Sequence, residues 1–384
     1  MIADCVGIMS LTIWIYLVFA RGRFWKMNLN LGSNFHDPSR RRVAAIVPAR
    51  DEAKTIGESV ASLLRQDYPG ELRVFLVDDH SSDGTALVAR RAAQEVREPQ
   101  TLEIVQATPL PSGWTGKVWA LSEGLRAAES YAADYYWFTD ADIVHEPENL
   151  RALIGRAEAG GFDLVSQMVK LRCRSLAEKL LIPAFVFFFF KLYPPDWVNR
   201  PENRTAAAAG GNMLIRRTAL ERIGGISAIK GELIDDCELA RALKPAGPIW
   251  LEPTHQATSL REYGSFREIG HMIARSAFTQ LHHSVLLLVV AVLGMSLTYF
   301  APLLILDRGL FPAALAVTAL LLMLLAYRPM LRFYGISWLW GLALPLTAAF
   351  YLGATVTSAV RYWLGRGGKW KGRVQDIRTN ARPS

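Results

Sequence analysis

Cysteine is scarce in this chain: Cys5, Cys173 and Cys237 are all there is in 384 residues. So few, and so scattered, they exclude a disulfide framework and a structural zinc site. They read as three reduced thiols in a cytosol-facing protein. Charge is sparse too, at 20% against 51% hydrophobic residues, which excludes disorder for most of the length. The net charge of +8 invites a nucleic-acid reading, but its distribution removes it. Residues 21–42 hold six Lys/Arg against one acid and residues 361–382 hold seven against one, so the remainder of the chain is acidic. With no zinc-finger spacing, RNA-binding motif or basic recognition helix, no nucleic-acid partner is expected.

Apolar sequence is abundant, and it lies at the ends. Residues 6–20 are nearly all apolar and are followed at once by basic residues. A cleaved signal peptide carries its positive charge first, whereas the only early charge here is Asp4. Residues 1–20 therefore read as an uncleaved anchor, N-terminus outside, with the next domain in the cytoplasm. Three more runs, 284–306, 311–327 and 337–360, meet or approach the spanning length. Four crossings would leave the basic tail outside, against the positive-inside rule. Either one run does not fully span, with Pro345 marking the last as a re-entrant candidate, or the tail breaks the rule. Residues 180–192, including Phe187–Phe190, are too short to cross. They read as a core helix or a surface-lying one, and Pro194, Pro195 and Trp197 favour the surface. The expected plan is an anchor (1–20), a basic linker (21–42), a cytoplasmic domain (43–283), a transmembrane region (284–360) and a basic tail (361–384). The plan is that expected of a multi-pass membrane protein, partnered by the lipid bilayer.

The middle alternates. Strand-like runs at 43–48, 72–77, 102–106, 135–139 and 163–168 are separated by helical periodicity at 53–66, 85–95, 117–130 and 150–159. Such alternation predicts a doubly wound α/β sheet of parallel strands, with ligands beyond their carboxyl ends. The acidic clusters fall there. Asp51 and Glu52 follow the first strand, Asp78 and Asp79 the second, and Asp140 and Asp142 the fourth. A helix cap explains any one of them, and Asp83 is read that way, as the cap of the 85–95 helix. Three strands ending in carboxylates at one edge is a different matter. In Asp140-Ala141-Asp142 both acids can turn toward one hard cation, Mg²⁺ or Mn²⁺, which takes oxygen ligands and shares diphosphate oxygens.

Together these motifs, over roughly residues 43–275, resemble glycosyltransferase family 2. The resemblance implies a GT-A fold with a doubly wound mixed sheet, plus transmembrane helices at both ends of the chain. It implies a nucleotide-sugar donor held by Ala49, Asp51, Glu52, Asp78 and Asp79, and a metal held by Asp140 and Asp142. Trp114-Thr115-Gly116-Lys117, followed by Ala120-Leu121 and Gly124, resembles the family's K-x-x-A-L-N-x-G element with Ser122 in place of Asn. Lys117 is then a diphosphate or donor-sugar contact, or else the solvated start of a helix. Gly210-Gly211-Asn212-Met213 resembles the segment bordering the donor sugar, its glycines allowing close backbone approach, and reads equally as a turn before a strand. Asp235-Asp236 matches the family's acidic pair. Asp236 is the expected base and Asp235 its neighbour, alternate or helix cap.

His271-Met272-Ile273-Ala274-Arg275 keeps only the Arg of the Q-x-x-R-W element of chain-extending relatives. Arg275 is expected to steady the diphosphate, and a single addition fits better than polymerisation. The Gly-Trp-x-Gly-Lys element, Gly-Gly-Asn-Met and Trp370-Lys371-Gly372-Arg373 resemble the hopanoid-biosynthesis-associated glycosyltransferases, implying a membrane lipid acceptor. Inverting transfer from a UDP-sugar is the expectation. Polyprenyl phosphate as acceptor, or a non-catalytic nucleotide-sugar fold, are the alternatives.

Overall fold

The computed structural model describes residues 1–27, 40–96, 101–365, 369–370 and 373–374. Most of the two basic segments, and Lys371 and Gly372 of the tail element, lie outside them. The chain divides into two compact units. One is helical (1–27, 173–196 and 262–368) and the other carries the sheet (28–172, 197–261 and 369–384). The helical unit takes in 173–196 and 262–283 as well as the apolar ends, so the span 43–283 is shared between the two.

In chain order, α1 (Ile2–Ile15) runs on through a π-helical turn at Tyr16–Ala20. The sheet unit then supplies β1 (Arg42–Ala49), α2 (Ile56–Leu64), β2 (Glu71–Asp78), α3 (Thr85–Glu95), β3 (Thr101–Gln106) and α4 (Gly116–Ala127). After these come β4 (Tyr135–Thr139), β5 (Ile143–His145), α5 (Asn149–Ala159) and β6 (Leu164–Lys170). α6 (Leu176–Leu192) belongs to the helical unit. The chain returns with β7 (Asn212–Arg216), α7 (Asp235–Leu243) and β8 (Ile249–Ser259).

The eight strands form one sheet in the order β3-β2-β1-β4-β7-β6-β8-β5. β1 is parallel to β2 and β4, β2 to β3, and β6 to β8. β7 enters antiparallel between β4 and β6, and β5 pairs antiparallel with β8. The sheet is therefore mixed, where alternation alone predicts parallel strands. β5 and β8 follow no strand–helix alternation, so periodicity does not find them. β1 and β2 are buried almost end to end rather than on alternate residues, as expected for central strands covered on both faces. Val43, Val47, Val74 and Leu76 pack with Val60 and Leu63 of α2 and with Leu150 and Leu153 of α5. Each such side chain contributes roughly 1.5–3 kcal/mol on burial.

Two local details differ from expectation. α2 begins at Ile56 rather than 53, because the N–H groups of Glu52 and Ala53 are held by Thr85 Oγ1 and Asp83 Oδ2, both at 2.9 Å. α3 is capped by Gly84 at φ +87°, a left-handed conformation that favours glycine. Asp83 stands one residue earlier, and its Oδ1 still accepts the Thr85 N–H at 3.1 Å.

The register aligns Ala49 with Asp78 and Thr139 with Asn212. The loops after β1, β2 and β4 and the loop before β7 therefore open at one edge.

The helical unit adds α8 (Phe266–Ser276), α9 (Val285–Met295), α10 (Leu310–Phe333) and α11 (Leu344–Trp363). Four stretches are long and apolar enough to cross a membrane: Ile2–Ala20 near the N-terminus, then Val285–Leu304, Leu310–Phe333 and Trp338–Trp363. They coincide with the four expected runs. α6 is not among them. It starts with a capping box between Ser175 and Glu178, and Leu181, Ile182, Phe187 and Phe190 are buried within its own unit.

Candidate active site

The first corner of the site joins the β1 and β2 loops. Asp51, at φ +50°, donates its N–H to Ser81 Oγ (3.0 Å), and its Oδ1 accepts from the N–H (2.8 Å) and hydroxyl (3.2 Å) of Ser82. Asp is among the few residues that tolerate this conformation. Asp78 turns back on its own loop, Oδ1 accepting the Ser81 N–H at 3.0 Å. The Asp79 N–H donates to the Ala49 carbonyl (2.8 Å), while Arg50 donates to the Asp79 carbonyl (2.6 Å) and approaches its carboxylate (3.4 Å). Ala49 and Asp79 are each 1% exposed. Glu52 is half-buried in the same loop. This corner is laced shut by its own hydrogen bonds.

The second corner is built differently. Lys117, one residue into α4, places Nζ 2.9 Å from Asp140 Oδ1 and 3.3 Å from Asp235 Oδ2. Burial works against its charge, but Asp140, Asp235 and Asp236 outweigh that and hold its pKa above the ordinary lysine value. Asp236 heads α7. Its Oδ2 accepts the Gly210 N–H and its Oδ1 accepts the Cys237 N–H, both at 2.8 Å. Burial, and then the charge of Asp235, push the Asp236 carboxyl up to about 6, with Lys117 opposing. A carboxyl poised there suits general-base work near neutral pH. A Cβ on Gly210 would stand 3.1 Å from Lys117 Nζ and 3.2 Å from Asp236 Oδ2, so glycine lets the backbone close on both groups. At Gly211 the neighbour is Val169 instead, at 3.1 Å.

Asp142 is 7% exposed and accepts the Ser259 hydroxyl at Oδ2 (2.8 Å). Burial and then Asp140 raise its pKa, against the pull of Ser259 and Arg261. Asp235 Oδ2 is buried and, although near Lys117, accepts no well-directed hydrogen bond. Three carboxylates thus gather around the Lys117 ammonium and Asp142 faces Arg261, so four acids meet two cations, and the remaining negative charge fits a divalent cation. Among the described residues no three His, Cys, Asp or Glu side chains converge as a ready-made metal cage. Asp140 and Asp142 would hold the ion, with diphosphate and water completing its shell, as suits Mg²⁺ or Mn²⁺.

Asn212 departs from expectation. It is wholly buried, its Oδ1 accepting from Trp137 Nε1 (2.7 Å) and its Nδ2 donating to Gln167 Oε1 (2.9 Å). Its side-chain amide is thus spent inside the sheet rather than turned toward a donor. It belongs to a polar layer that sequence reading missed. Thr139 Oγ1 donates to the Gly211 carbonyl (2.9 Å) and so accepts from His145 Nε2 (2.8 Å), which leaves His145 Nδ1 to accept from Asn149 Nδ2 (2.9 Å). Burial drops the His145 pKa to about 3, so the ring is neutral. Gln167 continues the layer to Glu252 (3.0 Å). Arg275 lies exposed on α8, in the helical unit.

Comparison with known proteins gives a consistent picture. Residues 44–224 match the model of glycosyl transferase family 2. An N-acetylglucosaminyltransferase of Rhizobium leguminosarum bv. viciae is 48% identical over 52 residues, 13% of this chain and 12% of that protein. An uncharacterized protein of Methanocaldococcus jannaschii is 26% identical over 132 residues, 34% of this chain and 48% of its own length. The chain spans about half or less of these curated relatives. In fold it is similar to a mannosyltransferase of Pyrobaculum calidifontis solved with GDP-Man and Mn²⁺. The TM-score is 0.55 at 19% identity, over 93% of this chain and 98% of that one.

Proposed function

We propose that this chain, which carries a glycosyl transferase family 2 domain over residues 44–224, is a metal-dependent inverting glycosyltransferase. It moves one sugar from a nucleotide-sugar, a UDP-sugar, to the hydroxyl of a membrane lipid. The observation that carries this reading is the second corner: a carboxyl held near pKa 6 at Asp236, one lysine away from the paired acids Asp140 and Asp142. Asp236 takes the acceptor hydroxyl proton as the oxygen attacks the anomeric carbon and the bond to the diphosphate breaks. Lys117 and the Gly210 segment orient the diphosphate and the sugar. A divalent cation held by Asp140 and Asp142 supplies charge neutralisation for the leaving group. The first corner, with Asp51 on its rim and Asp79 buried behind it, is the proposed nucleoside end.

The hopanoid-like acceptor rests on the Gly-Trp-x-Gly-Lys and Gly-Gly-Asn-Met elements. The four apolar helices support a lipid setting. We place the catalytic domain on the cytoplasmic face of a bacterial inner membrane, on the strength of the basic segments. The mannosyltransferase of similar fold was solved with a nucleotide-sugar and Mn²⁺, and we propose the same classes of donor and cation here. The test is calorimetric titration of the full-length protein in detergent with UDP-glucose, UDP-N-acetylglucosamine and GDP-mannose, with Mn²⁺ present or chelated. Radiolabelled transfer into extracted membrane lipid completes it. Cation-dependent binding of one donor, followed by label in lipid, is expected. Folded protein that binds none of the three overturns the proposal.

A further inference from the structure

The helical unit contains three helices that lie side by side, and one of them is α11, the last of the four apolar stretches. α6 and α8 start together: the Tyr263 N–H donates to Glu178 Oε1 at 3.0 Å. They also finish together, where Gln280 bonds the Tyr193 hydroxyl. α11 runs along both. Thr347 and Tyr351 donate to the carbonyls of Leu180 and Leu181, at 3.3 and 2.8 Å. Phe350 meets Phe266 at 6.3 Å between ring centroids, and a Cβ on Gly270 would lie 3.2 Å from the Phe350 ring. Further on, the Phe278 N–H donates to Ser358 Oγ (3.1 Å), and the Phe278 ring packs on Tyr362 (5.5 Å) and Trp363 (5.6 Å). The contacts advance from 266 to 278 on one segment while they advance from 350 to 362 on the other. α8 and α11 therefore run in the same direction, alongside each other for roughly 18 Å at 1.5 Å per residue.

α8 fixes the depth of this layer. It buries Ile269, Ile273 and Ala274 and exposes Arg267, Glu268, His271 and Arg275 on the other face. Charged side chains are costly at a bilayer centre. An amphipathic helix of this kind lies in the interface plane instead. A helix locked alongside it shares that depth. We propose that α11 does not cross the membrane but lies in its surface, with the exposed side chains Leu346, Val356, Val360 and Trp363 facing the acyl boundary of a lipid bilayer. Arg21, the first residue past the N-terminal apolar helix, donates to the Lys191 and Leu192 carbonyls at 3.1 and 3.2 Å. That contact ties the layer to the membrane face at which the first crossing ends.

Three crossings then remain, Ile2–Ala20, Val285–Leu304 and Leu310–Phe333. They return the chain to the side of residues 21–42. The two basic segments share one face, and the conflict between span count and charge disappears.

The test uses the full-length protein in cells, with Cys5→Ser and Cys173→Ser, carrying either Arg332→Cys or Ser384→Cys. Arg332 ends the third crossing, and Ser384 ends the chain. A membrane-impermeant maleimide is applied before and after permeabilisation. Both positions labelling from the same side is the expected result, and labelling from opposite sides overturns the proposal. A spin label at Ala349→Cys, an exposed position midway along Trp338–Trp363, gives a second reading. Depth in the headgroup boundary supports the surface helix, and depth at the bilayer centre overturns it.

Discussion

The sheet edge carries two acidic corners that look alike in sequence and differ in physics. In the corner of Asp51, Asp78 and Asp79, carboxylate oxygens are given to backbone N–H groups and an arginine, so the acids serve the loops that hold them. In the corner of Asp140, Asp142, Asp235 and Asp236, four acids meet two cations, Lys117 and Arg261, and two of those acids have raised pKa values. Hydrogen bonds do not draw the line, since Asp236 too accepts two backbone N–H groups. A carboxyl crowded by like charge in a buried place is prepared for a cation, a proton or a substrate. The proposal assigns the chemistry to that second corner.

The largest effect expected from breaking this contrast is at Asp236. Asp236→Asn should lower transfer to a lipid hydroxyl by about 10²–10⁴-fold while donor binding stays within a few-fold, as radiolabelled transfer and calorimetry together report. Transfer that survives the substitution would point to an acceptor that is already anionic. Next comes Asp142→Ala. Losing one of two carboxylate ligands should weaken cation-supported donor binding by about 100-fold or more. The melting temperature should hold or rise, because a buried, repelled carboxylate is removed with it. Unchanged donor affinity would sink the assignment of the metal pair.

The proton in the second corner gives a third handle. With Asp236 as the proposed base, transfer needs it ionised, so the rate should climb as pH rises through about 6 and fall about tenfold per unit below it. Lys117 opposes the raised pKa of Asp236. Lys117→Met should therefore move that limb to higher pH, a shift a pH–rate profile reads directly. A limb that stays in place would mean that Asp236 does not set it.

Sequence pattern read the two corners unequally. The strands that end in acids, and the helices between them, follow from periodicity, because central strands need continuous apolar runs and their helices need an apolar face. Which acids are spent and which are free does not follow, because that depends on Ser81, Ser82 and Gly210 arriving from elsewhere in the chain. The layer of Thr139, His145, Asn149 and Asn212 was invisible for a related reason. A buried polar residue in a short strand has no period, and its partners lie up to 75 positions away. Asn212 follows two glycines at the site, which suggests a donor contact, yet its amide faces the core. Leaving these partners unsatisfied costs roughly 1–3 kcal/mol per group. His145→Ala should accordingly destabilise the sheet unit by a few kcal/mol.

The smallest expected effect sharpens the comparison from the other side. Asp51→Ala removes the acceptor for the Ser82 N–H and hydroxyl, and with it part of the proposed nucleoside end, so donor binding should weaken while the second corner keeps its groups. Because that corner is partly exposed, water replaces some of what is lost, and the cost should sit near the low end of roughly 1–3 kcal/mol. For a unit of this size the melting temperature should then fall by about 2–4 °C for each kcal/mol lost. The pH limb set by Asp236 should not move. If Asp51→Ala instead shifted that limb with stability unchanged, the two corners would be one electrostatic unit, and the division between structural and chemical acids would fail.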